Sequence, residues 1–190
     1  MNFQNKFSTQ IGGKYSKLDN GVFNLKKFLE DFEIEVNFPE SNNIVSERNG
    51  IELTFEISDS KNFFSVEKAF FQSIKNSSFH IVCNQFLDNF GYLGYSSSIE
   101  VAYAILRNKP LIFLYPLKIQ DSVPNNIRNL ILDNYELLNI LNITQYSKVN
   151  LYDYLNRIYN KKYIYNIDII NEISIMYTIK EMFDKYKLIV

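Results

Sequence analysis

Tryptophan is absent from this chain, and cysteine and histidine occur once each, as Cys83 and His80. A lone cysteine excludes an internal disulfide and any cysteine-based zinc cluster. With a single histidine, a metal site would have to be built from carboxylates, so neither a metal nor an organic cofactor is expected. An excess of either charge is also missing: 20 Lys and Arg stand against 21 Asp and Glu, a formal net charge of −1. No stretch is strongly basic, which argues against a nucleic-acid-binding surface. Long apolar runs are lacking too. Leu111 to Tyr115 is far too short to span a bilayer, and "MNFQNKFSTQIGG" has no basic start followed by an apolar stretch. No membrane association and no signal peptide are expected, and a reducing, cytoplasmic setting is the default.

Apolar mass, by contrast, is plentiful. The hydrophobic fraction is 46% and the aromatic fraction 16%, all Phe and Tyr, over 190 residues. That suits one domain, residues 1–190, with a sizeable core. No internal repeat or low-complexity linker divides it.

The pattern along the chain alternates. Lys6 to Ile11 reads as a strand ended by Gly12-Gly13. "GVFNLKKFLEDFE" carries Leu25, Phe28, Leu29 and Phe32 at helical spacing. "IEVNFPE" alternates from Ile34 to Pro39 and reads as a second strand, and Ile51 to Ile57 as a short extra one. Ser65 can cap a helix to about Lys75, with Val66, Ala69, Phe70 and Ile74 on one face. Phe79 to Cys83 is an apolar strand. A helix is predicted from about Ser98 to Arg107, then the buried strand "LIFLY". Strands and helices in this order predict an α/β domain with a parallel sheet of four or five strands, helices on both faces, and a helical last third. The division falls near residue 118, with 1–118 as the core and 119–190 as helical segments packed on it or on a second subunit. The tyrosines and lysines of "QYSKVNLYDYLNRIYNKKYIYN" read as helix packing, not as an RNA surface.

Ligands of such sheets bind beyond the carboxyl ends of the strands. Three segments are expected there: "IGGKYS", "PES" and "CNQFLDNFGYLGYSSSIE". Gly12, Gly13, Gly91 and Gly94 would let backbone approach a ligand closely. Ser96, Ser97 and Ser98 are expected at a helix N-terminus, where free amides and hydroxyls suit a sugar hydroxyl or a phosphate. Tyr15 can stack on a base or lie on the surface, and Lys14 precedes it. Asn84 can point into the pocket or form a turn. The spacing of "IGGKYS" is not that of a P-loop. Glu100 has two readings. Ser97-x-x-Glu100 fits a capping box worth about 1 kcal/mol. A carboxylate near the start of a helix at the mouth of a sheet is also placed to attack a sugar carbon.

The stretch "GYLGYSSSIEVAYAILRNKPLIFL" resembles the signature of the nucleoside 2-deoxyribosyltransferase family and its nucleotide N-hydrolase relatives. A glycine-containing loop leads into a helix carrying Glu, then a small-residue stretch (here "EVAYA"), a Lys and a buried strand. "FSTQIGGKYS", "EVNFPES" and "VEKAFFQSIKNSSFHIVCN" follow the family's order, so the resemblance covers residues 6 to 115. It implies a flavodoxin-like fold, cleavage or exchange of the N-glycosidic bond of a (deoxy)nucleoside or nucleotide, Glu100 as nucleophile, and sites built at subunit contacts. A homo-oligomer, dimer or higher, is therefore expected. The family's Asp at the turn before the third strand is Ser78 here, and the Asp that some transferases carry close to the Glu is replaced by Tyr95 and serines, with Asp88 nearby.

These departures motivate a second hypothesis, a non-catalytic nucleotide-binding or sensing module. A third is an NAD-cleaving enzyme, since TIR domains also use a helix-borne Glu on a similar sheet. His80 and Cys83, within one apolar strand, read as core residues.

Overall fold

The computed structural model describes residues 7–13, 21–37, 63–141 and 148–187. Lys14, Tyr15, the "PES" segment and the expected strand at 51–57 lie outside the described residues.

Strand β1 (Ser8–Gly13) is followed by α1 (Gly21–Asp31), β2 (Glu35–Asn37), α2 (Phe63–Asn76) and β3 (Phe79–Cys83). Three two-residue strands, β4 (Gln85–Phe86), β5 (Asn89–Phe90) and β6 (Tyr92–Leu93), lead into α3 (Tyr95–Leu106) and β7 (Leu111–Phe113). The chain continues through β8 (Lys118–Ile119), α4 (Asn125–Asp133), a 3-10 turn at Tyr135–Leu137 and β9 (Asn139–Ile140), and then α5 (Lys148–Asn160) and α6 (Ile169–Lys187).

Five strands form one parallel sheet in the order β2-β1-β3-β7-β9. Every residue of β3 and β7 is buried. That is why both read as apolar runs, interrupted only by His80: a parallel sheet is covered on both faces. Alternation along the strands divides the faces. Phe7 packs on Phe79, Tyr152 and Tyr159, with ring centroids 5.3, 5.9 and 5.6 Å away, which puts α5 on that face. A Cβ at Gly13 would meet Val22 of α1, on the same side. Gly12 and His80 face the other way, towards α3. Helices α2 and α4 flank α3, and α6 lies across all three. The architecture is a flavodoxin-like α/β fold with one helix added outside.

Amphipathic spacing explains the surface helices. Val22, Leu25 and Leu29 are the buried residues of α1, and Ile127, Leu130 and Ile131 those of α4. Helix α3 differs. Seven of its residues, from Ser98 to Ile105, are buried, because it is enclosed between the sheet and α6.

Two expectations needed revision. The last third is not purely helical, for Asn139–Ile140 adds the fifth strand to the sheet beside β7. The sheet thus runs past residue 118, and α5 belongs to its covering layer. Two residues give no periodicity to read, so only the pairing with β7 reveals this strand. Of the tyrosines of the C-terminal segment, Tyr152, Tyr163 and Tyr165 are buried, whereas Tyr159 is exposed.

Candidate functional site

The site is built where β1 and β3 lie side by side and α3 crosses above them. In the order β2-β1-β3-β7-β9 the direction of strand addition reverses at β1, and the crevice outside the carboxyl end of such a point is where open sheets bind ligands.

Glu100 comes from α3, and its place in that helix decides between its two sequence readings. The helix begins earlier than the serines suggest. Its N-cap is Gly94, and its first backbone hydrogen bond runs from the Ser98 N–H to the Gly94 carbonyl at 3.0 Å. Ser97 is therefore already helical, no side chain caps the terminus, and the first turn contains no acidic residue. The capping-box reading of Ser97 and Glu100 is overturned. Glu100 lies in the second turn, 8% exposed, and its side chain is directed at the sheet.

Beneath it are Gly12 and His80. A Cβ at Gly12 would collide with Glu100 Oε2 and would come within 2.9 Å of His80 Cε1 and 3.0 Å of Nε2. The bare backbone of Gly12 is thus what makes room for the carboxylate against β1. His80 is completely buried. Its Nδ1 lies 3.0 Å from the Gln10 carbonyl oxygen, and its Nε2 lies 3.9 Å from Glu100 Oε2. Burial pushes the imidazole down to about 4, and the Gln10 hydrogen bond offsets this only in part. His80 is therefore neutral at pH 7. A carbonyl can only accept, so the ring proton is on Nδ1 and Nε2 carries a bare lone pair.

Gly12→Ala is expected to displace both side chains, lowering any Glu100-dependent activity by about 10²-fold, with overpacking costing about 1–3 kcal/mol. Steady-state rates and chemical denaturation of the variant check this.

The other glycines are closed to a ligand at the position of their missing side chains. A Cβ at Gly13 would stand 2.9 Å from the Cys83 carbonyl, and one at Gly94 would stand 2.6 Å from the Tyr92 hydroxyl. A Cβ at Gly91 would overlap the Pro116 carbonyl, and φ of 88° at Gly91 independently favours glycine. Protein atoms, not ligand, fill these places.

Asn84 resolves towards structure. Its Oδ1 accepts from the amides of Leu114 and Tyr115, both at 3.0 Å, and its Nδ2 donates to the Tyr115 carbonyl at 2.6 Å. Its own carbonyl accepts from the Gly91 amide at 2.7 Å. It ties the end of β3 to the end of β7 and to the loop before α3. Asn84→Ala leaves two backbone amides without their acceptor and is expected to cost about 2 kcal/mol, read from denaturant midpoints.

Ser96 is exposed and Ser97 half-buried in the first turn of α3, whereas Ser98 is buried and its hydroxyl donates to the Tyr95 carbonyl at 2.6 Å. Asp88 is exposed in the turn between β4 and β5. Ser78 sits at the amino end of β3, where its amide donates to the Ser8 carbonyl and its Oγ accepts from the Ser8 amide. That is the end of the sheet away from Gly12. A polar cleft of about 430 Å³ lies there, lined by Ser78, Arg107, Lys109 and Lys161 among others. Helices α2, α3 and α5 all end at it, so these cations face helix C-termini and complement their dipoles. Lys109 Nζ already donates to the Ser77 carbonyl at 2.7 Å.

Reading the sequence missed the position of His80 beside Glu100: alternation assigns it to the same face as Val82 but cannot pair it with Glu100. Among the described residues no group of three His, Cys, Asp or Glu side chains is disposed to hold a metal, and no helix is long and apolar enough to cross a membrane. No family model matches the chain, and no curated protein matches it.

Proposed function

We propose that this chain cleaves or exchanges the N-glycosidic bond of (deoxy)nucleosides or their monophosphates, in the manner of the family it resembles, with Glu100 as the nucleophile. One observation carries this reading: Glu100 spends nothing on capping its helix, yet lies buried with its carboxylate against the Gly12 backbone at the carboxyl end of β1. In the reaction a carboxylate oxygen bonds to the anomeric carbon as the carbon–nitrogen bond breaks. The electron pair leaves with the base, which takes up a proton from solvent. Water or a second base then attacks the glycosyl ester, gives up its proton to solvent and restores the carboxylate. Ser96 and Ser97, in the first turn, offer hydroxyls to the sugar or its 5′-phosphate. Ser98 has its hydroxyl engaged and does not. The setting is the cytoplasm.

The test is base release followed by chromatography. Deoxynucleosides, ribonucleosides, their monophosphates and NAD are offered with and without an acceptor base, to the native protein and to Glu100→Ala. Release that depends on Glu100 supports the reading, and nicotinamide as the preferred product would move it to NAD cleavage. Native protein that releases no base from any of them overturns it.

A second reading is favoured by the closure of the site. Glu100 Oε2 is sealed from solvent, and protein atoms occupy the space at Gly13, Gly91 and Gly94. A binding module without turnover would keep such a pair for packing. Calorimetric binding of a nucleotide without release would favour it.

We also propose a dimer formed through α6, whose Ile169, Ile170, Ile173 and Tyr177 are exposed along one side. Light scattering at micromolar concentration is expected to give twice the chain mass, and Ile170→Glu to halve it. A native mass equal to one chain would sink the dimer.

A further inference from the structure

From the geometry beneath α3 we infer that His80 is the positioning residue for Glu100: the Gln10 carbonyl holds it as the Nδ1–H tautomer, so that its Nε2 accepts the Glu100 carboxyl proton and sets both the orientation and the protonation of the nucleophile. This deepens the glycosidase reading and rests on it for its catalytic part.

Three observations converge. The 3.0 Å contact from Nδ1 to the Gln10 carbonyl leaves the lone pair on Nε2. Nε2 is fully buried and makes no hydrogen bond among the described residues. It is directed at Glu100 Oε2, 3.9 Å away, across the space kept open by Gly12. That separation is beyond the ordinary range of about 2.7–3.2 Å, so the hydrogen bond inferred here requires the carboxyl group to move closer to Nε2. A neutral His80 can act on Glu100 only as an acceptor. It favours the protonated acid and points one oxygen inward. Once the proton has left, His80 presents no donor, so it does not draw charge from the carboxylate that attacks. The proton held on this line cannot go directly to the departing base, because Nε2 is enclosed.

The central strands β1 and β7 carry no ionisable side chain, and Cys83 of β3 faces α1. On α3 the other titratable groups are Tyr95 and Tyr103. Tyr103 packs its ring on Phe71 and beneath Arg107. From α6, Glu181 acts on Tyr95. Of the described cations near α3, Arg107 and Lys109 lie towards the amino end of the sheet, Lys118 pairs with Tyr92 ahead of the helix, and Arg128 of α4 is held by Gln120 and Asp121.

Because the chain has one histidine, its imidazole nitrogens can be observed without assignment. In untagged protein labelled with ¹⁵N-histidine, neutral His80 is expected as the Nδ1–H tautomer at pH 5 to 8. Glu100→Ala is expected to move the Nε2 signal to that of an unbonded ring nitrogen, and Glu100→Gln, which can still donate, to leave it near its native position. In the rate assay, His80→Gln places an amide donor against Oε2, so the acid limb of base release is expected to move about one pH unit lower. A purely structural His80 would alter stability or the yield of active protein and leave the limb in place.

An Nε2 signal indifferent to Glu100→Ala overturns the pairing, whether or not base is released. An unmoved limb in an active His80→Gln variant overturns the catalytic part. A responsive signal in a protein that releases no base keeps the pairing and removes the glycosidase reading.

Discussion

Replacing Glu100 by alanine is expected to lower base release by about 10⁴-fold or more, with the fold intact. A nucleophile that forms a covalent intermediate has no substitute in its site, and losses of that order follow its removal. Stability responds differently. The Gly94 N-cap and the absence of an acidic first turn mean that no helix cap is lost with the carboxylate. Alanine instead leaves space above Gly12 and removes a carboxyl group from a site with little solvent. These effects oppose one another, so denaturant midpoints of wild type and variant are expected to lie close together. Glu100→Gln sharpens the test because it preserves shape while removing the charge. Retention of activity within about tenfold of wild type by either variant would remove Glu100 from the role of nucleophile.

Acidification is expected to destabilise the fold by on the order of 3 kcal/mol through His80 alone, in the window between pH 6.5 and about 4. In the native state burial holds the imidazole down to about 4, against an ordinary value of 6.5. The unfolded chain therefore binds a proton first as pH falls. Above 6.5 the ring is neutral in both states and the stabilisation is complete. It is lost as pH falls through the window, and below about 4 both states are protonated and the loss stops. Most exposed carboxylates titrate at the lower edge of this range, so the interval from pH 6.5 to 5 reports chiefly on His80. Urea midpoints measured across it should fall in the native protein and stay flatter in His80→Gln. A native midpoint constant over that interval would contradict the buried, neutral histidine.

The site shows how far residue order alone reaches. Glu100 was legible as a chemical candidate from its glycine- and serine-rich approach and from the small-residue stretch after it. Its capping role was equally legible and is absent. The difference rests on where α3 begins, and a helix can start at Gly94 just as well as at a serine when the Ser98 amide finds the Gly94 carbonyl. By sequence Gly12 is a place for a ligand to approach, whereas Glu100 and His80 occupy the space it leaves. Asn84 by sequence suits pocket or turn, and its three side-chain hydrogen bonds to residues 114 and 115 assign it to the turn.

What the sequence determined by itself is the class of the fold. Alternating apolar strands and amphipathic helices, two strands apolar but for His80, and the absence of long hydrophobic runs lead to a covered parallel sheet. Those signals are local: each depends on residues within one element. Tertiary structure alone decided which strands are neighbours, that two residues near 140 complete the sheet, and that His80, twenty residues from Glu100 in the chain, lies beneath its carboxylate. Such contacts depend on register between β1 and β3 and on the path of α3 over them. No spacing along the chain encodes that distance, because it is closed only when the sheet and its covering helices pack.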